Sequence, residues 1–296
     1  MTSIELTAPA KVNLLLKVQG KRRDSYHNIL TIFERISLAD TVRIRKIPVG
    51  RGIEVHSDRF ITKHKEDNLV YKAASLVLRD AGIKAGVRIE LKKRIPIAAG
   101  LGGGSSDAAA VIKGINRLFG LKMKEKAMMR LGSRLGADVP FFLIDPPFAL
   151  GRGKGDLLTE IRSSSGFWHL IIYPGFRVPT KEIYEAYDRA DFALTMKSAD
   201  AKITLPFRRN PGFGTAEAML HNDLEAVVRS KRNTIGRIIE RLVQILDKRA
   251  IISGSGPSIF CLYRTRKEAM AAKEKLAKSV PGREMRSWQV FVAKTF

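Results

Sequence analysis

The chain has 296 residues, 53 lysines and arginines against 29 acids, one cysteine and 45% hydrophobic residues. That length accommodates two domains with buried cores, a lone thiol excludes an internal disulfide and fits a reducing cytoplasm, and no apolar run approaches the about 18 residues of a membrane span. The formal charge of +24 raises nucleic-acid binding, but it is dispersed in clusters such as Lys21-Arg22-Arg23, Lys92-Lys93-Arg94 and Arg208-Arg209, so a solvated basic surface that draws in anionic small molecules is the simpler reading.

Taken in order, residues 12–18 and 41–45 read as strands. Asp67-Asn68 caps a helix running to about residue 81, where Gly82 stops it. Residues 87–91 alternate as a strand that leaves Arg88 and Glu90 on one face. A helix follows over about 124–135. It is broken by Gly136-Ala137-Asp138-Val139-Pro140, and Pro140 suits the first turn of a further short helix. The compositions at 151–155 and 163–166 are those of turns. Residues 168–173 then read as a strand, Thr180 as the N-cap of a helix carrying Ile183, Tyr184 and Tyr187, and 216–229 and 235–246 as helices. A hairpin around Gly254-Ser255-Gly256-Pro257 joins 250–253 to 258–263, with Cys261 as a core residue. A last helix over 267–277 and a strand over 289–292 complete an α+β chain with mixed sheets, in two lobes with the ligand site between them.

The most informative stretch is Pro96-Ile97-Ala98-Ala99-Gly100-Leu101-Gly102-Gly103-Gly104-Ser105-Ser106-Asp107. Its glycines free the backbone to curl and let a ligand approach the amides. Ser105, Ser106 and Asp107 are candidate N-caps. Behind them Ala108, Val111, Ile112, Ile115 and Leu118 mark one apolar helix face, with Gly120 suited to its end. A glycine loop opening a helix offers unpaired N–H groups and the positive end of the helix dipole, which suits a polyphosphate. It is not a Walker loop, having no lysine before its serines; for a dinucleotide fold Asp107 stands far too early to hold a ribose, and the next acid is Glu125.

Three segments together resemble the motifs of the GHMP small-molecule kinases: Pro9-Ala10-Lys11-Val12-Asn13-Leu14, the glycine loop, and Ser253-Gly254-Ser255-Gly256-Pro257. Order and spacing agree, and the resemblance covers nearly the whole chain. Within that family, Lys21 to His27, Asp67-Asn68-Leu69, Gly136 to Pro140 and Pro179-Thr180 are similar to a member whose substrate carries a cytidine diphosphate moiety. The resemblance implies a two-lobed fold, with an ATP-binding N-terminal domain over 1–157 and a substrate-side domain over 158–296. It implies transfer of the γ-phosphoryl of ATP to the 2-hydroxyl of a methylerythritol unit in the non-mevalonate isoprenoid route, with Mg2+ brought by the nucleotide.

The same resemblance assigns roles. Asp138 is the candidate base, and Lys11, close to it, would lower its pKa and stabilise charge on the transferred group. Direct attack with Asp138 only orienting the hydroxyl stays open, because a lowered pKa also weakens a base. Asn13, Tyr26, His27, Thr180 and Tyr184 fall to the substrate, Tyr26 and His27 holding the cytosine and Tyr184 lying across its far face. Asn68, Lys93, Pro96, Ala99, Gly100, Leu101, Gly102, Gly103, Gly104, Ser105 and Ser106 fall to the nucleotide, with Ser106 the hydroxyl nearest a metal role. Residues 253–256 read either as amides facing the substrate or as a plain hairpin tip. Where the family carries Asp-Gly-Tyr-His, this chain has Ser25 in place of the glycine; a positive φ there would cost serine about 1 kcal/mol. Another GHMP kinase, acting on homoserine, a sugar or mevalonate, and a basic RNA-binding protein are the competing readings. The expected state is a cytoplasmic monomer or homodimer.

Overall fold

Two long strands open the chain, β1 (Ser3–Lys21) and β2 (His27–Ile47). Both run well beyond the segments 12–18 and 41–45 that alternation marks. Lys11, Asn13, Lys17, Glu34, Arg35 and Asp40 are buried within them, and buried polar residues interrupt the apolar pattern by which strands are recognised. The computed structural model describes residues 2–163, 166–190, 206–209 and 211–296. Packing divides the chain into unit 1, made of Met1–Ala10, Ala39–Ile97 and Gly102–Asp145, and unit 2, made of Lys11–Leu38, Ala98–Leu101 and Pro146–Phe296.

In unit 1, β3 (Ile53–Ser57) pairs in parallel with β4 (Gly86–Lys92), and β4 pairs antiparallel with the second half of β2, from Thr41↔Lys92 to Ile47↔Gly86. Val87, Ile89 and Leu91 are buried while Arg88 and Glu90 are partly exposed, as the alternation predicts. Helices α1 (Leu69–Asp80) and α2 (Gly103–Phe119) pack together beside this sheet, and α3 (Glu125–Ser133) packs on α2. Asn68 caps α1, its side chain accepting from the Val70 N–H at 2.9 Å. Helix α2 buries Ala108, Val111, Ile112, Ile115 and Leu118, and the branched side chains among them contribute about 1.5–3 kcal/mol apiece when fully buried. At Gly114 a Cβ would stand 2.5 Å from Ile44 Cδ1 and 2.9 Å from Leu6 Cδ1, so only glycine lets α2 lie this close to the sheet.

Helix α2 starts earlier than the serines suggest. Gly102 caps it in the left-handed region (φ +69°), which places Ser105, Ser106 and Asp107 inside the first turns and not at the cap. The early start follows from packing, since a Cβ at Gly103 would press on Ile95 at 3.0 Å. Gly120 ends the helix at φ +65°, as expected.

In unit 2, β5 (Phe148–Arg152) pairs with the first half of β2 and with β6 (Leu157–Ile161). The turn-like composition near 151 therefore belongs to a hairpin. A Cβ at Gly151 would meet Phe33 at 2.8 Å and Thr31 Cγ2 at 2.9 Å, so its glycine answers to packing. β7 (Trp168–Tyr173) centres a second sheet in the order β11–β7–β10–β9, where β9 is Ile251–Ile252, β10 Ile259–Tyr263 and β11 Gln289–Lys294. Its pairings are antiparallel. Helices α4 (Thr180–Arg189), α5 (Phe213–Met219), α6 (Leu224–Lys231), α7 (Asn233–Leu246) and α8 (Arg266–Ser279) also belong to this unit. Ile183, Val228, Ile239, Leu242 and Leu276 pack with Leu170, Ile172 and Cys261 in one core. Burial pushes the Cys261 thiol up to about 12, so this cysteine is inert packing.

Two expectations fail here. The helix read over 216–229 is split by β8 (His221–Asn222), which pairs in parallel with Leu15 and Leu16 of β1; a strand partner two hundred positions away outweighs local helix propensity. Thr180 is the first helical residue and Pro179 occupies the cap position, because the Thr180 hydroxyl is engaged by Ser255 instead.

The turn joining β1 to β2 holds Ser25 at φ +66°. This is the strain anticipated for a serine at that position. We expect Ser25→Gly to leave stability unchanged or raise it by up to about 1 kcal/mol, relief of the strained φ being partly offset by the freer unfolded chain. Thermal melting measures it, and a clearly lower melting point would refute the strain.

Candidate active site

Within unit 2 the first and third motifs meet, together with four residues of the glycine loop. The buried Lys11 ammonium donates to Asn13 Oδ1 at 2.7 Å, Asn13 Nδ2 donates to Thr31 Oγ1 at 2.8 Å, and that hydroxyl donates to the Leu15 carbonyl at 2.7 Å. The Lys11 N–H bonds the Leu101 carbonyl at 2.9 Å. Ser253 Oγ donates to the Gly100 carbonyl at 3.0 Å, and the Ser258 N–H to that of Ala99 at 3.2 Å. Asn222, which the sequence reading passed over, donates to the carbonyls of Ile252 and Gly254 at 2.8 and 2.7 Å and fixes the approach to the turn. Gly254 (φ +59°) brings its backbone beside this group, since a Cβ there would lie 3.4 Å from Asn13 Oδ1 and 3.6 Å from Lys11 Nζ. The Thr180 and Ser255 hydroxyls share a hydrogen bond of 2.8 Å. One cation, two hydroxyls and the amides of a glycine turn thus gather in one place, a set suited to phosphate oxygens.

A second cluster in unit 2 surrounds His27, the first residue of β2. Tyr184 of α4 stacks on its ring, centroids 4.7 Å apart and planes inclined by 25°. Asp188, one turn further along α4, bonds His27 Nε2 at 2.6 Å and Lys21 Nζ at 2.8 Å. One face of Tyr184 therefore lies on His27, while Tyr26 is 53% exposed with the Lys154 ammonium 4.7 Å from its ring centre. The Tyr-x-x-x-Asp spacing on α4 was the signal for Asp188, because residues four apart share a helix face. It went unread.

Unit 1 holds the start of α2 and its surroundings. The first N–H groups of an α-helix have no intrahelical acceptor, and here they belong to Gly103, Gly104 and Ser105, whereas Ser106 N–H reaches the Gly102 carbonyl at 2.9 Å. Gly104 is exposed, and Pro96 is buried at the base of the loop. The Ser106 hydroxyl and Asp107 Oδ1 are buried without a hydrogen-bond partner. Lys93, offered above as a nucleotide contact, has its ammonium between the carboxylates of Asp107, at 2.5 Å, and Asp40. Asp40 Oδ1 also accepts from the Arg94 and Ile95 N–H groups, at 2.5 and 2.8 Å. This triad ties the end of β4 to the first turn of α2. Asn68 has its side-chain oxygen committed to capping α1. Asp138 is half-buried in the turn before the 3-10 helix Pro140–Phe142.

Burial pushes the Asp107 pKa up to about 7, with the Asp40 charge acting in the same direction and the Lys93 charge against it. Between about pH 4 and pH 7 the folded chain therefore holds a proton here that the unfolded chain has released. Stability from this group falls as pH rises through that window. Asp107→Asn keeps an oxygen for Lys93 and removes the titration. We expect the variant to match the wild type near pH 4 and to exceed it above pH 7 by on the order of 1–3 kcal/mol. Parallel stability curves across that range would refute it.

Comparison with known proteins gives a consistent result. Residues 68–145 match the family profile described as GHMP kinases N terminal domain, and residues 209–282 match GHMP kinases C terminal. The 4-diphosphocytidyl-2-C-methyl-D-erythritol kinase of Syntrophus aciditrophicus is 37% identical over 295 residues, covering 99% of both chains. That of Acetivibrio thermocellus is 38% identical over 301 residues, covering 100% of both. A crystal structure of a 4-(cytidine 5'-diphospho)-2C-methyl-D-erythritol kinase superposes with a TM-score of 0.78 at 32% identity, covering 98% of each chain.

Proposed function

Since the chain belongs to the GHMP kinase family, with full-length relatives among its 4-diphosphocytidyl-2-C-methyl-D-erythritol kinases, we propose that it transfers the γ-phosphoryl of ATP to the 2-hydroxyl of 4-diphosphocytidyl-2-C-methyl-D-erythritol. Phosphoryl transfer asks a protein chiefly for positioning and for stabilisation of charge on the moving group. The observation that most supports the reading is the convergence of Lys11, Asn13, Gly100, Thr180 and the turn Ser253 to Gly256 within one unit. Lys11 stabilises the transferred phosphoryl, and Asp138 orients or deprotonates the attacking hydroxyl. Asn13 and Thr180 hold the substrate, and the glycine turn brings backbone amides to its phosphates.

The glycine loop and the N-terminus of α2, from Ala99 to Ser106, cradle the nucleotide phosphates, with Asn68 beside them and Lys93, held between Asp40 and Asp107, bracing the start of α2. The orphaned Ser106 hydroxyl, a hard oxygen donor, fits Mg2+. When bound with ATP, that ion would neutralise charge on the β- and γ-phosphates. Tyr26 supplies a stacking face for the cytosine and His27 a ring nitrogen for its edge, with Tyr184 backing the histidine. Homoserine, sugars and mevalonate carry no base, so these aromatics have no use for them.

A coupled ADP-release assay across a panel of alcohols tests the assignment. Turnover is expected with the cytidine diphosphate-linked methylerythritol and not with homoserine, galactose or mevalonate. Turnover of one of those three, with none of the cytidylyl substrate, would overturn it.

A further inference from the structure

Asp188 stands outside every motif that marks the family, yet it closes a partly buried contact with the residue assigned to the base. Its two oxygens have different partners: Oδ1 meets His27 Nε2 at 2.6 Å, and Oδ2 meets the Lys21 ammonium at 2.8 Å. Lys21 ends β1 and His27 begins β2, so one carboxylate on α4 ties together both ends of the intervening turn. Tyr184, four residues earlier on the same helix face, holds the histidine ring flat. Burial works to raise the Asp188 pKa, but the hydrogen bonds and charges of Lys21 and His27 outweigh it and hold the carboxyl below its ordinary value. An ionised carboxylate can only accept, so Nε2 donates the proton. In the neutral ring that leaves Nδ1 with a lone pair.

We propose that Asp188 is a positioning residue for base recognition: by accepting from Nε2 it locks His27 in the tautomer whose Nδ1 accepts from an exocyclic amino group, so that cytosine is taken in preference to uracil. Cytosine carries an amino group at C4, where uracil carries a carbonyl. A carbonyl facing the Nδ1 lone pair finds no donor. The proposal rests on the reading that His27 meets the base.

The structure supplies an unusual test through Lys21. In Asp188→Asn the amide has one oxygen and one NH2. An ammonium is donor-only, so Lys21 claims the oxygen and the NH2 faces Nε2. Nε2 must then accept, and the ring proton moves to Nδ1. Asp188→Asn should raise KM for the cytidine diphosphate-linked substrate by on the order of tenfold. The KM for ATP and kcat should change less than about twofold, and preference over the uridine diphosphate-linked analogue should shrink or invert.

Adding Lys21→Ala to Asp188→Asn frees the amide oxygen to face Nε2–H and should restore much of the cytidine preference. A merely structural role gives no reason for this rescue. Unchanged base preference in Asp188→Asn, or a double variant no better than the single one, would overturn the proposal. His27→Ala separates the two levels. If it leaves KM for the cytidylyl substrate untouched, the base-site reading falls; if it raises that KM while Asp188→Asn is silent, the role of Asp188 alone falls.

Discussion

Asp138→Asn lowers kcat by about 10²-fold or more, with the KM values for ATP and acceptor changed little and the melting point preserved. The carboxylate sits in a tightly built corner. The Val139 N–H returns to the Gly136 carbonyl at 3.2 Å, and the Phe142 N–H to that of Val139 at 3.1 Å. A Cβ at Gly132 would meet Leu143 Cδ1 at 2.8 Å and Val139 Cγ1 at 3.0 Å, so α3 packs closely on this turn. A carboxylate on such a corner is held at little entropic cost, which is what orienting a hydroxyl for in-line attack requires. Asparagine preserves the shape and can still accept a hydrogen bond, but it cannot take the proton. If Asp138 is the base, the loss reaches that full size. If it only orients the hydroxyl, the loss is smaller. Wild-type turnover in Asp138→Asn would exclude both roles.

Gly100→Ala is expected to cost roughly 2–4 kcal/mol of stability and to depress activity beyond that loss. Gly100 has φ +78°, and a Cβ there would lie 2.4 Å from the Ser253 carbonyl oxygen and 2.9 Å from that of Gly256. Both obstacles are backbone and cannot swing aside. Relieving the clash forces the glycine loop away from the turn that flanks Lys11 and Asn13, and the Lys11 N–H is itself bonded to the neighbouring Leu101. Gly82→Ala is the control. Gly82 also has a positive φ, of +63°, but nothing lies within 4 Å of its Cβ position, so only the backbone penalty of about 1 kcal/mol applies. Equal melting points for the two variants would show that the close approach at Gly100 carries no energy.

The features legible in the sequence were those set by neighbours along the chain. Helix α1 with its Asn68 cap, α2 with its Gly120 end, and β7 each declare themselves through periodicity or punctuation within one short window. The hairpin of β9 and β10 does the same. Ser25 belongs with them, because the φ that a four-residue turn demands is a local property. The order and residue types of the three kinase motifs were equally readable.

Tertiary structure decided whatever depends on a partner far away in the chain. β1 and β2 could not be bounded because Asn13 and Asp40 are buried polar residues, tolerated only once Thr31, Lys93 or a backbone amide is there to bond them. β8 exists because β1 offers it hydrogen bonds, and without that edge the segment reads as helix. Asp188 meets His27 across 161 positions, and Lys93 meets Asp40 across 53. Local sequence encodes propensity and shape; the pairing of buried charge and the closure of long loops are settled only when the chain has folded, since no window of residues contains both partners.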